Sequence, residues 1–387
     1  MKKKIGILIG QLAQIGGVGI AAIEEVRNLN KLGIKTELLV LYKNPRSGFS
    51  SNSLADLPIR YLWDEFPGWA KINFNIPGFN FLSSFHLISP LVIHKIIKPK
   101  DYDLIIVHET YNCWSALKLK KKNDTPFIPF LWDPVSYILP RVYKDKMLGK
   151  FIPLLLPLAK HFDRQFVKHS YKTFVGSDLH LEKLKFLVST RDVKKIKIVY
   201  AGAHPQKKYP ETNRKYLLAL TKWDIGKNPD FLLEVIKLID NNSIKLIVAG
   251  NWYSKQFKDG FIKKIQALRL DNRIIVVGRV SEQTKIELCQ NAIALIHPII
   301  EAFGLFALEA AGCGCPVVMP KGSGVGNILT NEQAGFFPKE GDAQAFAKYL
   351  NYLIADKTKR NQMGKAAWEV ANKYTWLDHA KTITYEI

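Results

Sequence analysis

The sequence predicts an α/β protein of two doubly wound domains, and three observations carry this. The chain has 387 residues, enough for two domains of ordinary size. Residues 4–41 run through apolar strand, glycine turn, amphipathic helix and apolar strand, the first unit of such a fold. A second alternation of strands and helices comes after a polar stretch with two prolines, HPQKKYPETN at 204–213, which reads as a linker.

In the first half, Lys4 to Gly10 is a buried-type strand. Gly16 and Gly17 then open a helix whose apolar positions, Ile20, Ile23, Val26 and Leu29, recur at helical spacing. Gly33 closes it, and Thr36 to Leu41 is the next strand. Met1 to Gly10 does not read as a signal peptide, because the apolar run is short and the polar Gln11 and Gln14 interrupt its continuation. GVGIAA (17–22) fits the G-x-G-x-x-A dinucleotide pattern only weakly. Its first glycine stands seven residues after Gly10, and no carboxylate ends the second strand, which finishes in Tyr42 and Lys43.

Residues 44–100 read as irregular. Their aromatics, Trp63, Phe66, Trp69, Phe74, Phe79, Phe81 and Phe85, either shape the entrance of a binding site or form a core patch under a long loop. Strands resume at Asp103–Val107, Pro126–Leu131, Tyr171–Gly176 and Lys195–Tyr200. His108 stands directly after the first of these, where it serves either chemistry or structure. In the second half the strands are Arg214–Leu220, Leu246–Gly250, Arg273–Gly278, Ile293–Ile296, Pro316–Met319 and Gly335–Phe337.

Charge is uneven. The net charge is +22, and residues 1–200 carry 31 basic against 16 acidic residues. That asks for an anionic partner of the N-terminal half. Residues 141–172 hold eight Lys and Arg against two Asp around FIPLLLPLA, either a membrane-surface contact or a buried helix with basic flanks. The apolar run Phe151–Ala159 contains Pro153 and Pro157 and is too short to span a bilayer. Cys313 and Cys315 form a lone C-x-C with no second pair to complete a zinc site, which predicts buried reduced thiols.

Residues 294–319, ALIHPIIEAFGLFALEAAGCGCPVVM, hold the densest chemistry. A strand ends at His297 and Pro298, Glu301 sits in the next loop, and a helix starts near Leu305. Glu309 lies about two turns into it. In an open parallel sheet, ligands bind beyond the carboxyl ends of strands, and a helix N-terminus there suits an anion. Glu301 and Glu309 are either acceptors for sugar or ribose hydroxyls or solvated surface residues. Lys222 and Lys227, in the loop TKWDIGKNP, either face a diphosphate or stand in solvent.

Glu301, Phe303, Gly304, Glu309, Gly314, Pro316, Val317 and Val318 together resemble the signature of family-4 retaining glycosyltransferases of the GT-B fold (glycosyl transferases group 1). The resemblance implies two Rossmann-like doubly wound domains facing a central cleft. Residues 1–203 bind the acceptor, with a C-terminal helix at about 375–387 packing back on them, and residues 204–374 bind the donor. The implied reaction moves a sugar from a UDP- or GDP-sugar to an acceptor hydroxyl with retention, without a metal or an obligatory cofactor.

The family pattern makes Glu301 a ligand of the sugar hydroxyls and Glu309 of the ribose. Lys222 and Lys227 then hold the diphosphate, with Lys222 replacing an Arg and losing its bidentate fork. Gly16 and Gly17 match a glycine loop that approaches the diphosphate, and Phe303, Gly304 and Leu305 open the donor-site helix. Gly250 and Gly278 permit close approach of base or ribose. His108 matches a histidine that reaches the donor sugar, which makes Glu301, His108, Lys222 and Lys227 the catalytic set. Trp132 replaces a histidine and Asn327 a glutamate of the pattern. YTWLDHAKTI at 374–383 matches the terminal helix.

These readings point to a peripheral enzyme at the cytoplasmic face of a membrane, acting on a lipid-linked or envelope acceptor. The alternatives are another reaction on the same fold, epimerisation or phosphorolysis, and a basic nucleic-acid-binding protein, for which no compact motif stands in the chain.

Overall fold

The computed structural model describes the chain apart from residues 1–2, 13–15, 46–48, 50–53, 77–81, 133, 144–146, 211–212 and 331–332, and apart from the side chains at 142, 147, 148 and 225. Gln14, Phe79, Phe81, Asp133, Lys144 and Lys146 therefore lie outside the described residues. The chain divides into two compact units. One contains residues 1–200 and 376–387, the other residues 201–375.

The first unit is built on seven parallel strands. They are β1 (Lys4–Gln11), β2 (Lys35–Tyr42), β3 (Ile59–Tyr61), β4 (Leu104–His108), β5 (Phe127–Leu131), β6 (Thr173–Val175) and β7 (Ile196–Ile198), in the spatial order β3-β2-β1-β4-β5-β6-β7. Every residue of β4 and β5 is buried. Continuous apolar runs of this kind belong to strands covered on both faces. Alternate residues divide accordingly. Leu8, Leu39, Ile105 and Val107 join a core with Phe85, Val92 and Phe166. Ile5, Ile7, Leu38 and Ile106 join another with Ile23, Val26 and Ile383. The last of these comes from the helix Trp376–Glu386, which packs beside the helix Gly17–Lys31.

Residues 44–100 are more regular than their composition suggests. They contain β3 and a 13-residue helix, Ser84–Ile96. Pro90 lies inside that helix, and its N-terminus is closed by a capping box between Ser83 and His86 in place of the usual acidic partner. The aromatics divide. Trp63, Phe66 and Phe85 enter the core, whereas Trp69 and Phe74 are exposed.

The segment 141–172 is divided in the same way. Its main element is the helix Ile152–His169, which buries Ala159, Asp163, Phe166 and Val167. Its opposite side leaves Leu154 76 % and Leu158 51 % exposed, beside an exposed Phe151. No helix among the described residues is long and apolar enough to cross a membrane.

The second unit has six parallel strands: β8 (Tyr216–Leu220), β9 (Lys245–Ala249), β10 (Ile274–Gly278), β11 (Ala292–Ile296), β12 (Val317–Val318) and β13 (Gly335–Phe336), ordered β10-β9-β8-β11-β12-β13. Both sheets reverse their winding once, between β1 and β4 and between β8 and β11. Those are the points where open parallel sheets take ligands. All four cysteines are buried and free, and the described residues contain no His, Cys, Asp and Glu group able to hold a metal.

A buried carboxylate ties the first unit together. Glu25, on the helix Gly17–Lys31, is fully buried and uses both oxygens: Oε2 meets His108 Nε2 at 2.8 Å, and Oε1 meets His379 Nε2 at 2.9 Å. His379 Nδ1 donates to the Tyr200 carbonyl at 2.6 Å. Burial works to raise the Glu25 pKa, but the two histidines outweigh it and hold it at about 2 against an ordinary 4.5. A depressed carboxylate stabilises the fold above its unfolded value and loses that contribution as the pH falls through the folded one. Thermal stability should therefore decline between about pH 4.5 and pH 2, and Glu25→Gln should lower it at pH 7 and flatten that decline. Melting curves that are superimposable for the two proteins across this range would exclude the ion cluster as a stabilising element.

Candidate active site

The loops after β8 and β11 build a polar cluster at the reversal of the second sheet. After β8, Trp223 is fully buried, and its indole N–H donates to the Ala249 carbonyl at 2.9 Å. It also stacks on Trp252 at 5.7 Å. This anchor lies between Lys222, which is exposed, and Lys227, which is half-buried. Asp224 closes the short turn Ile225–Lys227 by accepting from the Gly226 N–H at 3.0 Å. Gly250, after β9, has φ of +126°, and a Cβ there would lie 1.8 Å from the Thr221 carbonyl oxygen. Only glycine allows this approach of the two loops.

After β11, the fully buried His297 donates through Nε2 to Oε1 of Glu301 at 2.7 Å, and Lys227 Nζ pairs with the same oxygen. Oε2 of Glu301 has no partner among the described residues. Burial acts to raise the Glu301 pKa. The Lys227 charge and His297 overcome it and hold the carboxyl at about 2. The loop backbone is fixed from the other side by the glycine stretch 321–327. Ser323 Oγ accepts from the Glu301 N–H at 3.2 Å, the Gly324 N–H donates to the Glu301 carbonyl at 3.1 Å, and the Val325 N–H donates to the Phe303 carbonyl at 2.7 Å.

Phe303 is buried under this turn. Gly304 caps the helix Leu305–Gly312 with φ of +94°, so the first helical N–H groups, of Leu305 and Phe306, have no intrahelical acceptor. Glu309 is the fifth residue of that helix, little more than one turn in rather than two. Lys285, on the helix Glu282–Gln290, reaches it at 3.1 Å and Glu282 at 2.7 Å. Burial opposes the Lys285 charge, but the two carboxylates outweigh it and raise its pKa.

The structure thus joins Lys227, Glu301, Phe303, Gly304 and Leu305 in one place. Glu309 belongs to a second ion cluster one turn along the same helix, and the exposed Lys222 pairs with neither carboxylate. Sequence reasoning missed His297, read only as a strand end although it stands four residues before Glu301. It also missed Lys285, which no motif marks. Asn327 is exposed.

In the first unit, Gly16 caps the helix Gly17–Lys31 with extended backbone, and a Cβ on Gly17 would meet nothing within 4 Å. His108 is the last residue of β4. It is fully buried, Trp132 Nε1–H donates to its Nδ1 at 3.0 Å, and its Nε2 faces Glu25. Both ring nitrogens thus have partners within the first unit. Trp132 is the residue that completes this arrangement, stacked on Phe130 at 4.1 Å.

Comparison with known proteins gives the class. Residues 201–370 match the family model described as glycosyl transferases group 1. An uncharacterized glycosyltransferase of Methanocaldococcus jannaschii is 25 % identical over 295 residues, 75 % of this chain and 77 % of that protein. The phosphatidylinositol N-acetylglucosaminyltransferase GPI3 subunit of Saccharomyces cerevisiae is 29 % identical over 162 residues, 40 % of this chain and 34 % of that protein. Among solved structures, the sucrose-phosphate synthase of Thermosynechococcus elongatus superposes with a TM-score of 0.80 at 16 % identity, covering 99 % of this chain and 98 % of that one. Anabaena Alr3699/HepE in complex with UDP and glucose gives 0.74 at 16 % identity over the same shares. The fold is GT-B, and the protein is a glycosyltransferase whose second unit matches the group-1 family.

The Lys227–Glu301 pair also bears on stability. Lys227→Ala leaves a half-buried carboxylate with His297 as its remaining side-chain partner, which should cost roughly 1–3 kcal/mol. Urea unfolding at pH 7 measures this, and an unchanged midpoint would mean that solvent already satisfies Glu301.

Proposed function

We propose that the protein transfers a hexose, with retention, from a UDP-sugar to a hydroxyl of a lipid-linked acceptor at a membrane surface. The observation that carries the donor reading is Glu301. Lys227 and His297 hold one of its oxygens, and the other is open beside a helix N-terminus at the sheet's reversal. A carboxylate fixed in this way accepts hydrogen bonds from sugar hydroxyls. Lys227 and the N–H groups of Leu305 and Phe306 offer positive potential to a diphosphate. Glu309, oriented by Lys285, takes the ribose hydroxyls. Lys222 and Gly250 border the same nucleotide. Support for UDP comes from the HepE structures, which hold UDP or UDP-glucose.

In this reaction the anomeric C–O bond breaks as charge builds on the leaving diphosphate. Lysine and helix N–H groups already in place stabilise that charge in the transition state. The acceptor oxygen adds to the same face of the sugar, and its proton passes to a leaving phosphate oxygen. The protein groups supply the positive charge, so the reaction needs no metal ion.

Transfer from UDP-glucose or another UDP-hexose should therefore persist in EDTA. Lys227→Ala should lower kcat more than it raises the donor KM, because the leaving charge peaks in the transition state. A pure KM effect, or activity lost to EDTA and restored by Mg²⁺ or Mn²⁺, would overturn this account.

The acceptor reading rests on the first unit. The helix Ile152–His169 exposes Leu154 and Leu158 beside Phe151, with exposed Lys150, Arg164 and Lys168 on the same segment. Apolar insertion with basic flanks suits an anionic bilayer surface, and each basic residue there contributes about 1 kcal/mol. The yeast relative's name includes phosphatidylinositol, which agrees with a lipid-borne substrate. The protein should sediment with anionic liposomes at low salt, less so at high salt, and less again when Leu154 and Leu158 become Asp. Equal recovery in the supernatant with and without anionic liposomes would remove the membrane from this proposal and leave the transfer reaction standing.

A further inference from the structure

A second polar cluster stands at the reversal of the first sheet, where β1 and β4 end. Glu109 comes directly after β4 with φ of +65°, an uncommon conformation for a residue with a side chain. Its Oε2 accepts from the Gly10 N–H at 2.9 Å and from Asn112 Nδ2 at 2.9 Å. Asn112 Nδ2 also donates to the His108 carbonyl at 2.8 Å, which fixes the turn. Strained backbone held by several bonds in this way clusters at ligand sites.

His86 converges on the same point. Its Nδ1 accepts from the Ser83 N–H at 3.0 Å, so the proton of the neutral ring sits on Nε2. Burial lowers the His86 pKa to about 4, so the ring is neutral at pH 7. A Cβ on Gly10 would lie 2.5 Å from Glu109 Oε2, 3.1 Å from His86 Nε2 and 3.4 Å from Asn112 Nδ2. Glycine is what allows these three groups to meet at the end of β1.

The cluster is not self-satisfied. Glu109 Oε1 and His86 Nε2 have no partner among the described residues, although His86 is only 3 % exposed. Asn112 Oδ1 and Tyr111 OH are buried without partners among the described residues, and the rings of Tyr111 and His86 lie 5.8 Å apart. A carboxylate acceptor beside a neutral imidazole N–H donor suits a ligand that both donates and accepts, which is the chemistry of a vicinal diol. It does not suit a phosphate, which the carboxylate would repel.

We infer that Glu109 and His86, seated by Gly10 and Asn112, form a sugar-hydroxyl subsite in the first unit. The subsite presupposes the glycosyltransferase activity and is the part of this unit that grips the substrate. Glu109 accepts from one hydroxyl and His86 Nε2–H donates to its neighbour. Two sources offer this chemistry, the acceptor glycan and the donor's own hexose, and the experiment separates them.

The full-length protein is titrated with methyl α- and β-glucosides, galactosides and mannosides, monitored by saturation-transfer NMR, and with UDP and UDP-glucose, monitored by calorimetry. Glu109→Gln keeps the shape and replaces one carboxylate oxygen with an amide nitrogen. Gly10→Ala displaces the carboxylate, and Glu109→Gln suffices should Gly10→Ala fail to fold. For an acceptor subsite, at least one methyl glycoside binds the wild type, and the variants weaken it by about fivefold or more while UDP affinity stays within about twofold. For the donor hexose, the variants abolish the difference in affinity between UDP-glucose and UDP. Glycoside binding and the UDP-glucose increment both unchanged in Glu109→Gln would overturn the subsite. UDP binding by the wild type tests the donor reading separately.

Discussion

A parallel sheet that reverses its winding sends its connections toward opposite faces on either side of the reversal, so the two central strands end in loops that diverge. Here that occurs between β1 and β4 and between β8 and β11, and the polar chemistry of both units gathers there. The central strands are mostly apolar and join the helices in the buried cores. The loop after β8 delivers Lys227, and that after β11 delivers Glu301. The ends of β1 and β4 deliver Gly10 and Glu109.

Within that frame, carboxylates taken out of water acquire different roles according to how fully they are partnered. Removing a carboxylate from solvent costs about several kcal/mol, and partners must compensate. Glu25 has a histidine on each oxygen, so it holds its unit together. Glu301 has two partners on one oxygen and none among the described residues on the other. Glu309 shares Lys285 with Glu282. In the proposed donor site the incompletely partnered ones take ligand hydroxyls, which complete their shell at little cost in reorganisation.

His108 shows why position along a strand is insufficient to assign chemistry. Its place at the end of β4 is legible, and a histidine there is equally consistent with reaction and with structure. Its ring partners, Glu25 and Trp132, stand 83 and 24 positions away and take both nitrogens. The helix Ser84–Ile96 is hidden for a different reason. Pro90 interrupts its pattern, and the capping partner of Ser83 is His86 rather than an acidic residue. Local signals therefore argue against a helix that packing of Phe85, Val92 and Ile93 stabilises.

The alternation of strands and helices is legible in the residues alone, since apolar periodicity and glycine punctuation are local properties. So is the spacing of Glu301, Gly304 and Glu309 along one loop and one helix. Which groups share a charge is settled only in three dimensions. Lys227 meets Glu301 across 74 residues, Lys285 meets Glu309 across two helices, and Glu25 meets His379 across 354 residues. Such pairings depend on the register of neighbouring strands and on which loops splay at a sheet's reversal. Neither is written in the residues adjacent to the charge, so they emerge only when the sheet is assembled.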